Sequence, residues 1–146
     1  MDPGRIFDFS GKSVLMIGAS LGGIGTAIAS DFQDFGAQVM VTGVEDTPVE
    51  SVRDRFIYVR LDVTDEAAVL ALAAATPRLD VLVNCAGVSG RGQQADVDMF
   101  ERVVDLNLTG TYRTCVAFLR QLTASSGCVE NIGSMYGYLG SPKVVG

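Results

Sequence analysis

Three short, unbroken apolar runs constrain this chain more than any other feature: Val14-Leu15-Met16-Ile17, Val39-Met40-Val41 and Val81-Leu82-Val83. A strand with one wet face alternates apolar and polar residues, whereas a strand covered on both faces is apolar throughout. Helical patterns separate these runs, and strands alternating with helices predict a parallel sheet covered on both sides. The strand segments are Ser13–Ile17, Gln38–Thr42, Phe56–Leu61, Asp80–Asn84 and Gly127–Ile132. Right-handed crossovers then give an α/β, doubly wound parallel sheet, most simply ordered 3-2-1-4-5. Residues 1–146 suffice for a single domain and are too few for two.

Between the strands, Ala27, Ile28, Phe32 and Phe35 recur at helical spacing, and Gly36 offers a left-handed cap. Gly43 to Asp54 is polar and contains Pro48, so only a short helix is expected there. Thr64, Asp65 and Glu66 open an alanine-rich helix running to about Ala75, which Pro77 prevents from continuing. The longest helix is expected from about Asp96 to Thr123, with Phe100, Val103, Asn107, Cys115, Val116 and Leu119 broadly on one side. In such sheets ligands bind at the carboxyl ends of the strands, at the switch between strands one and four.

Composition removes several classes of function. The formal net charge is −6 and no basic cluster interrupts it, which argues against nucleic acid as a partner. No apolar run approaches the roughly 18 residues of a membrane span, and Met1 to Lys12 contains Asp2, Arg5 and Asp8 rather than a signal-peptide core. A soluble, cytoplasmic protein without membrane partners is the expectation. The three cysteines, Cys85, Cys115 and Cys128, are far apart, which fits reduced thiols and excludes a cysteine-rich zinc site. With no histidine in the chain, Ser-His-Asp and Cys-His chemistry and His-ligated metals are unavailable, and no metal is expected.

The chemistry-bearing residues fall at strand ends. Gly18-Ala19-Ser20-Leu21-Gly22-Gly23-Ile24-Gly25 follows a strand and opens a helix. Such a turn presents bare N–H groups and a positive helix end to a pyrophosphate, although it also serves as a tight turn without a ligand. Asp62-Val63 follows strand three, where a carboxylate can accept a hydrogen bond from an adenine amine or simply cap the Thr64 region. Asn84-Cys85-Ala86-Gly87 follows strand four, where small residues admit a ligand close to the backbone and where Asn84 could equally be a turn residue. Asn107 sits inside a helix that it does not favour, functionally or on a solvated face. Ser134 lies just after strand five. Singly, each has a plain structural alternative; together they converge on one sheet edge.

The ordered set, namely the glycine-rich turn, then LDVTD, NCAG, a helix bearing NLTG, and NIGS, resembles the short-chain dehydrogenase/reductase family from about Phe9 to the last residue. The resemblance implies a Rossmann-type fold, incomplete at its C-terminal side, that binds NAD or NADP. It also implies hydride transfer between the nicotinamide and an alcohol or ketone. On that resemblance the cofactor contacts are Gly18, Ser20, Gly23, Ile24, Gly25, Asp62, Val63, Asn84, Ala86 and Gly87. Asn107 would hold a proton-relay water and Ser134 would hydrogen-bond the substrate oxygen. The family's use of the long helix in subunit contacts implies a homo-oligomer.

Three departures stand out. The family turn reads T-G-x-x-x-G-x-G, whereas here four residues separate Gly18 from Gly23 and Ile17 replaces the threonine. Cys85 replaces the second Asn of NNAG. The family's Y-x-x-x-K is absent: its tyrosine would fall immediately after Gly146, and four residues beyond Tyr136 and Tyr138 come Gly140 and Pro142. A phenol with a pKa near 10 needs a neighbouring cation to work near neutrality, so the chain as given is expected to lack turnover. A non-catalytic nucleotide-binding or interaction module is the alternative. Glu45 and Asp46 follow strand two, and no basic residue occurs in the glycine-rich turn, which favours NAD over NADP. Substrate selectivity would arise in the Val88–Ala95 loop and Met135 to Leu139. An exposed fifth strand would promote association.

Overall fold

Continuous apolar character does produce central strands buried on both faces. In the computed structural model, which describes residues 7–90 and 96–139, the strands are β1 (Ser13–Ile17), β2 (Gln38–Gly43), β3 (Ile57–Arg60), β4 (Val81–Asn84) and β5 (Cys128–Asn131). All neighbours pair parallel, in the expected order β3-β2-β1-β4-β5. Successive residues of β1 feed opposite layers: Val14 and Met16 join one core cluster with Val39, Val41 and Val83, while Leu15 and Ile17 join the other with Leu72, Leu82 and Phe118.

The helices are α1 (Gly23–Asp34), α2 (Glu50–Arg53), α3 (Glu66–Ala75), α4 (Val97–Val104), α5 (Thr111–Ala117) and α6 (Leu119–Ser125). The α1 helix ends as its sequence predicts. Gly36 has φ +94°, and the N–H of Ala37 reaches back to Phe32 O at 3.0 Å. Asp65 and Asp96 cap α3 and α4 by accepting hydrogen bonds from the N–H groups of Ala68 and Met99, at 3.0 and 3.2 Å.

The long helix departs from expectation. A π-helical turn spans Asp105–Gly110 between α4 and α5, and a break at Phe118 separates α5 from α6. Its inward stripe is Val103, Gly110, Thr114, Phe118, Gln121 and Leu122, whereas Phe100, Val116 and Leu119 are exposed. Small and polar residues occupy the inner face where the helix comes close to its neighbours. A Cβ on Gly110 would lie 2.6 Å from Val63 Cγ2, and Thr114 Oγ1 donates to Asn84 Oδ1 at 2.7 Å. In the second half, Cys115 packs against the core as expected, whereas Val116 and Leu119 lie on the outer side.

Asp80 fastens the amino-terminal ends of the central strands. Its buried carboxylate accepts from Arg78 (Nη2 2.9 Å, Nε 3.0 Å), the Ser13 N–H (3.0 Å) and Lys12 Nζ (3.3 Å). Chiefly through the Arg78 guanidinium, and against the effect of burial, this carboxyl is held well below the usual carboxylate range. No helix among the described residues is long and apolar enough to cross a membrane.

Candidate functional site

A cleft of about 270 Å3 opens at the carboxyl ends of β1 to β4. Its walls include Gly18, Ser20, Gly22, Gly43, Glu45, Asp62, Val63, Ala86, Gly87 and Leu106. It lies where β1 separates β2 from β4, the switch point at which open α/β sheets take their ligands.

The glycine-rich turn forms one wall. Gly18 has φ +87°, and a Cβ there would fall 2.5 Å from Ala86 Cα, so the turn after β1 and the turn after β4 are in backbone contact. The N–H groups of Gly18 and Ala19 donate to Thr42 O at 3.1 and 2.8 Å. The additional residue is accommodated by two consecutive glycines at positive φ, Gly22 at +84° and Gly23 at +76°. Gly22 precedes α1 without a side-chain cap, and the first turn of α1 contains no acidic residue. The helix start therefore offers unpaired N–H groups and a positive dipole end to an anion. Gly25 packs under Gly18, where a Cβ would meet Gly18 O at 2.6 Å, while Ile24 is exposed. Ser20 is buried, and its hydroxyl donates to the Glu45 carboxylate. That link was not visible in the sequence, because the two residues lie on different strand-end loops.

Asp62 lies on the opposite wall. Its Oδ1 accepts from the Thr64 N–H (2.9 Å) and hydroxyl (2.7 Å), so the capping role and the position in the cleft coexist. Val63 is buried against Gly110, and its carbonyl accepts from Arg113 at 3.3 Å. Arg113 also pairs with Asp105 at 2.8 Å, bridging the π-helical turn.

Asn84 does not line the cleft. Its buried amide donates to Asn131 Oδ1 at 2.9 Å and accepts from Thr114, joining β4, β5 and α5. Cys85 and Ala86 do line it, and burial pushes the Cys85 thiol pKa up, so the residue acts as a small neutral wall. Asn107 lies in the π-helical turn and grips the loop beyond Gly87: its Oδ1 accepts from the Val88 N–H and its Nδ2 donates to Val88 O, both at 2.9 Å. Its main-chain carbonyl accepts from Thr111 Oγ1 at 2.8 Å. Ser134 is exposed and caps the short 3-10 turn Met135–Gly137, accepting from the Tyr136 N–H at 3.2 Å. Ser134 is not part of the cleft wall; the chain reaches it from β5, whose continuation at Ile132 pairs with Asn84 O at 2.8 Å. Of the expected selectivity segments, Met135 to Leu139 is described, whereas residues 91–95 of the Val88–Ala95 loop lie outside the described residues, as does the tail from Gly140. Among the described residues, no three His, Cys, Asp or Glu side chains cluster so as to hold a metal ion.

The strand order and switch-point cleft define a Rossmann-type domain. A family model described as short chain dehydrogenase matches residues 12–146. The chain is 32% identical over 155 residues to a trans-4-hydroxycyclohexanecarboxylate dehydrogenase of Sinomonas cyclohexanicum, covering 93% of this chain and 60% of that protein. It is 34% identical over 142 residues to an L-fucose dehydrogenase of Oryctolagus cuniculus, covering 90% and 50% respectively. A solved Agrobacterium tumefaciens protein, proposed to be a gluconate dehydrogenase, superposes with a TM-score of 0.87 at 27% identity, covering 95% of this chain and 60% of that one. The chain belongs to the short-chain dehydrogenase/reductase family. It spans between half and three fifths of the length of these relatives.

Proposed function

We propose that this chain supplies the cofactor-binding part of an oxidoreductase that moves a hydride between a nicotinamide dinucleotide and an alcohol or ketone. The observation that carries the reading is the switch-point cleft, with the uncapped start of α1 on one side and Asp62 on the other. The pyrophosphate would meet the N–H groups of residues 23 to 25, and Asp62 with Val63 would receive the adenine. Gly18, Ala86 and Gly87 leave room for close backbone approach. When bound, the nicotinamide supplies the hydride chemistry. Ser134 would hydrogen-bond the substrate oxygen. The Asn107 side chain is committed to Val88, so a relay water would use the second lone pair of its main-chain carbonyl.

NAD is the preferred cofactor in this reading. Glu45 lines the cleft beside the glycine-rich turn, and Asp62, Asp98, Glu101 and Asp105 edge the adjoining surface with Arg102, while Arg60 beside Val44 is paired with Asp46. A 2′-phosphate would enter negative potential there. Calorimetric titration should give one site per chain, with NAD+ binding at least about tenfold tighter than NADP+; equal or reversed affinities would reject the preference.

Within the 146 residues, no tyrosine is followed four positions later by lysine. This favours a second reading for the chain by itself, a nucleotide-binding module without turnover, since losing a general acid/base costs about 10²–10⁴-fold. Measurable NAD-dependent alcohol oxidation by the purified chain would contradict it. The three free cysteines suit a reducing, cytoplasmic compartment. The exposed outer face of the long helix, at Leu108, Tyr112, Val116 and Leu119, suits a homo-oligomer.

A further inference from the structure

The lengthened glycine-rich turn is tied down at its centre. Ser20 donates its hydroxyl to the Glu45 carboxylate, and the Val49 N–H donates to Ser20 O at 3.0 Å. Gly43 makes room for this approach: a Cβ there would stand 2.0 Å from Ser20 Oγ and 2.3 Å from Ser20 Cβ. Glu45 is itself a fixed post. Tyr58 OH donates to Glu45 O at 2.6 Å, with Gly43 O also within reach of the same proton at 3.0 Å, and Arg60 Nε donates to Val44 O at 3.0 Å. The loop after β2 is thus held from β3 while its carboxylate holds the turn after β1. Ser20 is followed closely by two left-handed glycines, Gly22 and Gly23, the backbone positions with the greatest conformational freedom.

We propose that Glu45, acting through Ser20, is a positioning residue that holds the lengthened turn in its dinucleotide-binding shape. The proposal rests on the cofactor reading above, and it assigns the Ser20 hydroxyl to the turn and not to the ligand. A turn released from Glu45 populates the binding shape only part of the time, and apparent affinity falls by that fraction.

The test is a double-mutant cycle on the full 146-residue chain, with NAD+ affinity measured by calorimetry and folding monitored by thermal melts. Ser20→Ala and Glu45→Ala are each expected to weaken NAD+ binding about tenfold, and the double variant by about the same tenfold, because both remove one link. Glu45→Gln keeps a carbonyl oxygen for Ser20 and should recover most of the affinity. An unchanged affinity in Ser20→Ala would overturn the proposal, since Glu45 would then act on the ligand directly. Losses that multiply to about a hundredfold in the double variant would also overturn it, since the residues would then act independently. Should Glu45→Ala fail to fold, Glu45→Met, which keeps the length of the side chain and removes the acceptor, replaces it in the cycle with the same non-multiplying loss expected. No saturable NAD+ binding by the unmodified chain would sink the cofactor reading itself, and this proposal with it.

Discussion

Asp80 ties the amino-terminal ends of β1 and β4 together at a distance from the cleft, accepting from the Ser13 N–H, Lys12 and Arg78. Its carboxylate is lowered in pKa chiefly by Arg78, with Ser13 N–H and Lys12 adding to the effect. A folded-state value below the unfolded one means that the stabilisation is complete above the unfolded carboxyl pKa of about 3.9 and is lost as pH falls towards the folded value. Thermal melts from about pH 6 down to about pH 2 should therefore fall steeply at the acid end. Asp80→Asn should lower the neutral-pH melting temperature by several degrees and flatten that acid slope; an unaltered slope would remove Asp80 from the account. Residue types at strand ends were legible in the sequence, and the structure brings Gly18, Ser20, Asp62, Val63, Ala86 and Gly87 to one cleft. Partners across loops were not legible. Nothing in the order of residues pairs Ser20 with Glu45, or Asn107 with Val88, because each bond depends on how two turns meet above the sheet.

At the scale of elements, β1, β2 and β4 were readable because burial on both faces leaves unbroken apolar runs. The long helix was readable only in outline. Its inner stripe carries Gly110 and Thr114, chosen for close approach and hydrogen bonding, while Leu108, Tyr112, Val116 and Leu119 face outward. A periodicity search that follows apolar residues therefore mixes the two faces, taking exposed Phe100 before the π-helical turn and exposed Val116 and Leu119 after it. Such turns recur at functional sites, and this one seats Asn107 against Val88. Gly110→Ala would place a methyl carbon 2.6 Å from Val63 Cγ2. It should destabilise the chain by about 1–3 kcal/mol through overpacking and weaken NAD+ binding, since Val63 lines the cleft. Chemical denaturation beside a binding titration would check both; full stability in the variant would contradict the packing described.

For the molecule as a whole, the sheet has unequal edges. The side chains of β5 are all exposed, including Val129 at 40%, and the apolar outer face of the long helix lies nearby in sequence. Unpaired strand edges and contiguous apolar surface favour association. Sedimentation velocity on the 146-residue chain should show concentration-dependent self-association that Val129→Lys reduces; a monodisperse monomer at every concentration would contradict this. Entry of a nicotinamide dinucleotide into the switch-point cleft is measured by following backbone amide NMR signals of the labelled chain through an NAD+ titration. Saturable shifts are expected at Gly18 to Gly25, Glu45, Asp62, Val63, Ala86 and Gly87. Saturable shifts elsewhere with these signals unmoved, or no saturable shifts at all, would contradict entry at this cleft.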